Sequence, residues 1–167
     1  MSQLIRQISL EIQGLGIILY SPFAVADILP GADYFGTNFQ KPEDVARHVQ
    51  DCRLTGFCTG SAGRFRLDLL LGEPDEAEVQ AAAFKVRLGL EVRDRRVCVR
   101  DLYDLMEWSS DCPESQQVAI REGFYRLTVY SSPPPSGILG DDQTISVCLE
   151  AVDRKPQLRW EGIPSLC

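Results

Sequence analysis

Gly63-Arg64-Phe65-Arg66-Leu67-Asp68-Leu69-Leu70-Leu71 is the stretch whose reading decides the fold. Phe65, Leu67, Leu69 and Leu71 fall on one side of an extended chain and Arg64, Arg66, Asp68 and Leu70 on the other, the period of two that marks a strand with one face buried. The pattern recurs downstream in Phe84, Val86, Leu88 and Leu90 against Lys85, Arg87 and Gly89. Val97 and Val99, then Val118 and Ile120, are shorter candidates. After Gly123 the alternation resumes in Tyr125, Leu127 and Val129, and it closes with Ile145, Val147, Leu149 and Ala151. Upstream, Ile8, Leu10 and Ile12 alternate with Ser9, Glu11 and Gln13, and Ile17 to Tyr20 follow as a short apolar strand after Gly14 and Gly16. Leu158 and Trp160 suggest one more strand in the tail.

Helical signals are sparse. Pro42-Glu43-Asp44 places proline in a first turn and acids at the positive end of the helix dipole, with Val45, Val49 and Cys52 at helical spacing. The 73–78 turn has room for one helical turn, and residues 101–108 read as either helix or extended chain. Strands do not alternate with long helical patterns, which argues against a parallel βαβ sheet. The expectation is a mainly β protein, an antiparallel β-sandwich of about 7–9 strands with one or two short helices, forming a single domain over residues 1–167. A long loop is expected at about 21–40, a short helix at about 42–51 and a Pro-rich loop at about 131–141.

The chain has 167 residues, with 24 acidic side chains against 17 Lys and Arg, a formal charge of -7. A domain of this size buries enough surface to fold without a metal or a disulfide. The acidic balance opposes non-specific binding to nucleic acid or anionic membrane, which clustered Lys and Arg carry, and suits a basic protein partner. No apolar run approaches the about 18 residues of a spanning helix. The N-terminus, interrupted by Arg6 and Glu11, lacks the pattern of a signal peptide. A cytoplasmic protein with free thiols at Cys52, Cys58, Cys98, Cys112, Cys148 and Cys167 is therefore expected.

Candidate chemistry is thin. Gly56-Phe57-Cys58-Thr59-Gly60 has nucleophile-elbow spacing, but His48, the sole histidine, precedes Cys58, and the turn leads into another strand. The i,i+4 placement of His48 and Cys52, with Cys58 beyond, resembles part of a zinc ligand set that lacks a fourth member. Phosphate-loop motifs are absent. We therefore expect no catalytic residues, no metal and no cofactor. Arg93, Arg95, Arg96 and Arg100, interleaved with Asp94 and Asp101, read as a solvated strand face.

Acid placement is more informative. Between Arg100 and Arg121 stand Asp101, Asp104, Glu107, Asp111 and Glu114 with no Lys or Arg, and Tyr103 and Trp108 lie among them. Aromatic residues within a field of one sign are the composition of an interface anchor in an electrostatically steered contact. Asp101, Asp104, Glu107, Trp108, Asp111 and Glu114 are the expected partner-binding residues. The bland alternative is a polar connection whose Tyr103 and Trp108 cover a sandwich edge. Glu73, Asp75, Glu76 and Glu78 form a second acidic group, and Asp141 and Asp142 a third.

The 63–71 and 84–90 strands, the segment Val118-Ala119-Ile120-Arg121-Glu122-Gly123-Phe124-Tyr125-Arg126-Leu127-Thr128-Val129 and the closing strand at 145–152 together resemble the competence protein J family of bacterial DNA-entry nuclease inhibitors and the wider immunity-like β-sandwich proteins. The resemblance covers residues 59–152 and assigns no individual functional residue. It implies a small non-catalytic protein that occludes a nuclease or toxin, in keeping with the acidic charge. The alternative is a structural or regulatory subunit of a larger bacterial assembly, with a homo-oligomer left open; the third reading is a Cys-dependent enzyme at Cys58.

Overall fold

A computed structural model describes residues 1–159 and 162–166; the strand expected around Trp160 therefore lies partly outside the described residues. In chain order the elements are β1 (Ser2–Ile12), β2 (Gly16–Tyr20), α1 (Tyr34–Asn38), α2 (Pro42–Asp51), β3 (Leu54–Cys58), β4 (Gly63–Gly72), α3 (Glu76–Ala81), β5 (Phe84–Val92), β6 (Arg96–Asp101), β7 (Gln117–Ala119), β8 (Gly123–Ser131) and β9 (Gln143–Val152). Short 3-10 turns occupy Pro22–Val25, Leu102–Met106 and Glu114–Gln116. One sheet runs β1-β4-β9-β8-β5 and the other β3-β2-β6-β7.

The alternating side chains meet between the sheets. Phe65, Leu67 and Leu69 of β4, Leu88 and Leu90 of β5, Leu127 and Val129 of β8 and Val147 and Leu149 of β9 share one core with Ile17, Leu19, Phe57, Val97 and Val99 of the smaller sheet. Arg64, Arg66, Arg87 and Arg126 occupy the opposite, exposed positions of the larger sheet, as period two requires. All strand pairs are antiparallel except β4 with β9, which run parallel from Phe65 opposite Gln143 to Leu71 opposite Leu149. The expected antiparallel sandwich holds with this one parallel pair, which the sequence could not show because alternation reports which face is buried and carries no information on the direction of a neighbour.

The apolar run in β2 has a second explanation in the structure. Ile17 and Leu19 point into the main core. Ile18 and Tyr20 point the other way, into a second cluster with Leu54, Val25, Cys98, Leu105 and Trp108. The smaller sheet is therefore covered on its outer face too, by the 21–40 and 102–112 segments, and a strand buried on both faces loses its alternation.

Two expectations change. Residues 21–40 are not an unbroken loop, since they contain the Pro22–Val25 turn and α1. Asp33 caps α1 by accepting from Gly36 N at 2.7 Å, and a five-residue helix is too short to show a period in sequence. With α3, capped by Asp75 through Ala77 N and Glu78 N, three short α-helices are found among the described residues where one or two were expected. No helix among the described residues is long and apolar enough to cross a membrane.

A candidate protein-binding site

The acidic segment begins where β6 ends. Period two along β6 sends Val97 and Val99 inward and Cys98 and Arg100 to the outer face, where Tyr20 pairs with Cys98 and Ile18 with Arg100 across β2. Arg100 is buried to 5% exposure, so it does not belong to a solvated basic face. Its guanidinium is held on every side: Nε donates to Asp104 at 2.8 Å, and Nη1 donates to Tyr20 Oη at 3.2 Å and to the Ser109 carbonyl at 2.6 Å. The Trp108 ring lies 4.7 Å beneath it and meets Tyr20 edge-on at 5.7 Å. Burial acts to lower the Arg100 pKa, but the hydrogen bonds and charges of Tyr20 and Asp104 outweigh it and hold the group cationic. Of the rest of the run, only Arg96 is an exposed strand residue, at the start of β6; Asp94 and Arg95 adopt positive φ in the connection between the sheets, and Arg93 stacks 4.4 Å over Phe23.

This geometry separates the six expected contact residues into two groups. Trp108 is corrected from an outward anchor to a core residue, 2% exposed, whose backbone is fastened to the 21–40 segment by Trp108 N to Ala32 O at 3.0 Å and Gly31 N to Trp108 O at 2.7 Å. Its indole covers the outer face of the smaller sheet, which an aromatic residue among acids in the sequence does not reveal. Asp101 is occupied by the fold as well, accepting from Gln13 N at 2.8 Å, Gly14 N at 3.2 Å and Tyr103 N at 3.0 Å. Asp101 thereby ties the β1–β2 turn to the 102–106 turn. Asp101→Ala is expected to lower unfolding stability by about 1–2 kcal/mol, since three backbone donors lose a charged acceptor, and urea denaturation measures it. A change within a few tenths would show that water replaces the carboxylate without loss.

The second group faces solvent. Glu107, Asp111 and Glu114 are exposed, and among the described residues none has an ion-pair partner. Asp104 is half-exposed beside Arg100. The 102–106 turn also shows two apolar side chains that the sequence reading did not assign as contacts, Tyr103 at 42% and Met106 at 47% exposure. Their helical-turn spacing of three was visible, but which of Tyr103 and Trp108 turned outward was not. Several of the other acids have partners within the chain: Asp75 caps α3, and at the surface Glu76 pairs with Arg87 at 3.6 Å and Asp142 with Arg64 at 3.7 Å. Glu78 accepts from Tyr130 Oη at 3.2 Å, and burial, aided by this carboxylate, pushes the Tyr130 hydroxyl up to about 12.

Leu102 and Tyr103 also line an apolar cavity of about 240 Å³ on the outer face of the smaller sheet, walled by Phe35, Phe39 and Phe57 and rimmed by exposed Leu15. Rings continue along one wall, with Tyr103 to Phe35 at 6.5 Å, Phe35 stacked on Phe39 at 6.2 Å and Phe39 against His48 at 4.4 Å. The turn that lines the cavity thus immediately precedes the segment that carries the exposed acids.

His48 and Cys58 both border that cavity, but their surroundings differ from those of a nucleophile and base. The His48 Nδ1 lies 2.7 Å from the Asp44 carbonyl, which can only accept, so Nδ1 carries the hydrogen and Nε2, 2.8 Å from Tyr34 Oη, accepts in the neutral ring. Cys58 ends β3, and the chain turns from it into β4 instead of a helix, with Cys58 N and O bonded to Pro164 O and Leu166 N in the tail. Cys52 is not on the His48 face of α2. It is the C-cap in the left-handed region, φ 57°, with Sγ 3.7 Å from the Val49 and Pro156 carbonyls and burial pushing its thiol up to about 11. No group of three His, Cys, Asp or Glu side chains suited to a metal occurs among the described residues.

The fold defines a class, the two-sheet β-sandwich, and solved structures resemble it. The chain is similar to ComJ from Bacillus subtilis, an inhibitor of the DNA-degrading activity of NucA, with 12% identity and a TM-score of 0.59, covering 91% of this chain and 99% of that one. It is also similar to the protein of crocagin biosynthetic gene J, with 12% identity and a TM-score of 0.54, covering 89% of this chain and 97% of that one. No family model and no curated protein sequence matches the chain.

Proposed function

We propose that this chain is a non-catalytic protein-binding module that occludes a basic nuclease or toxin. The observation that carries the reading is the 102–114 segment, in which Glu107, Asp111 and Glu114 are exposed without an ion-pair partner among the described residues, Tyr103 and Met106 are exposed, and Tyr103 lines an apolar cavity. Exposed acids raise the rate of encounter with a basic face, and a half-exposed aromatic beside a cavity supplies an apolar anchor. Asp101, Arg100 and Trp108 position this surface from beneath, with Asp104 bridging the two layers. Similarity to an inhibitor of a DNA-degrading enzyme supports the same reading.

The test uses the purified full chain against the DNA-degrading activity of an extract from the source cell. The chain is expected to slow DNA degradation. Reversing Glu107, Asp111 and Glu114 to Lys is expected to reduce association about tenfold or more at low salt, with the difference shrinking as salt screens the charges. Tyr103→Ala is expected to weaken binding by about 2 kcal/mol, roughly thirtyfold, mainly through faster dissociation. Undiminished degradation in the presence of the chain, or inhibition unaffected by the triple reversal, would overturn the proposal.

A further inference from the structure

A second feature of the covered face is a pair of thiols. Cys98 sits on β6, and Cys112 lies in the segment that leaves Trp108 and enters β7. β7 returns alongside β6 with Gln117 opposite Cys98, and Gln117 Nε2 donates to the Cys112 carbonyl at 2.7 Å, which folds Cys112 back over Cys98. Cys112 packs against the buried cluster that contains Cys98, and both side chains line a cavity of about 540 Å³ with Tyr20, Pro30, Arg96 and Asp111. Both are free thiols in the structure.

We propose that Cys98 and Cys112 are a redox-active dithiol, in which a peroxide oxidises Cys98 and Cys112 closes a reversible disulfide. The Cys98 thiolate attacks one peroxide oxygen, the O–O bond breaks, and the departing hydroxide takes a proton to become water, leaving a sulfenic acid at Cys98. The Cys112 sulfur then attacks the Cys98 sulfur, the S–O bond breaks, and the hydroxyl leaves as water with the Cys112 proton. Two electrons leave the dithiol, and one peroxide becomes two waters.

The surroundings divide the two roles. The hydrogen bond from Cys112 lowers the Cys98 thiol pKa, against the upward push of burial, and the Arg96 charge, the Tyr20 hydroxyl and the Arg100 charge add to the lowering. Cys112 is pushed up by that same bond, by burial and by the charge on Cys98, with Asp104 adding to the rise and Arg100 opposing it. Cys98 is therefore the more readily deprotonated of the two thiols, as suits an attacking cysteine with Cys112 as its resolving partner. The contrast with the other buried cysteines is clear. Burial raises the thiols of Cys52 and Cys148, and Cys148 Sγ donates to the Gly72 carbonyl at 3.0 Å. The disulfide would tie the chain next to exposed Asp111 to β6, so oxidation would stiffen the segment that follows Trp108.

The full chain, treated with one equivalent of hydrogen peroxide and then alkylated, is mapped by mass spectrometry. The expected result is a Cys98–Cys112 linked peptide, a loss of two alkylatable thiols per chain, and full recovery with dithiothreitol. In Cys112→Ser, dimedone is expected to capture a sulfenic acid at Cys98, and in Cys98→Ser, Cys112 is expected to stay reduced over the same interval. The wild-type map needs no folded variant to be informative. Oxidation confined to Cys58 or Cys167, or a linkage that leaves Cys98 free, would overturn the proposal.

Discussion

Leu127→Ala is expected to lower unfolding stability by about 3–5 kcal/mol and the melting temperature by about 10 °C. Leu127 is fully buried on β8, the strand between β9 and β5, with Leu88 opposite it on one side and Leu149 on the other. Removing its side chain takes apolar atoms from three adjacent strands at once, and strands held by ladders on both sides cannot close in to fill the space. Leu127→Met, which keeps most of the volume, is expected to cost less than about 1.5 kcal/mol. Urea denaturation followed by circular dichroism measures both. A loss for the alanine variant under about 1 kcal/mol would show that the core between the sheets collapses around the site.

Arg100→Met is expected to cost about 2–4 kcal/mol, although methionine suits a buried position by its polarity. The guanidinium joins Asp104, Tyr20 Oη and Ser109 O and lies over Trp108. Tyr20 is itself buried, with its hydroxyl pKa raised chiefly by burial, so a lost partner there is not replaced by bulk water. The 102–112 segment should then loosen over the smaller sheet. Faster backbone hydrogen exchange at Leu105 and Trp108 than in the main core, together with a change in Trp108 fluorescence, reads this out. Arg100→Lys is expected to recover only part of the loss, since one ammonium cannot reproduce a planar fork that serves three acceptors. Stability and exchange unchanged in Arg100→Met would show that the segment is held by Trp108 and Leu105 alone.

The larger sheet was legible from period two because its strands alternate core-facing residues with a second face that is largely polar, although Thr128, Tyr130 and Cys148 on that face are buried. Phe65, Leu67 and Leu69, or Tyr125, Leu127 and Val129, announce both the strand and its inward face. The α2 helix was legible from Pro42 and the acids at its start. The five-residue α1 was not, because capping by Asp33 and contact with neighbouring rings stabilise it where no periodicity fits. At the candidate site, the run of acids could be located in sequence, yet its division into positioning and exposed residues could not. Asp101 and Glu107 are both acids beside the same turn, and only the position of Gln13 and Gly14 beside one of them separates a backbone tether from a free charge.

By itself the sequence determined every strand except β3, Leu54–Cys58, together with the inward faces of the larger sheet and the stretch where negative charge gathers, because these depend on spacing along the chain. The tertiary structure alone decided the parallel β4–β9 pair, the burial of Arg100 and Trp108 on the outer face of the smaller sheet, the outward turn of Tyr103 and the meeting of Cys98 with Cys112. Each of these depends on what lies across from a residue rather than beside it, and such neighbours are set by how segments distant in sequence cover one another to remove apolar surface from water.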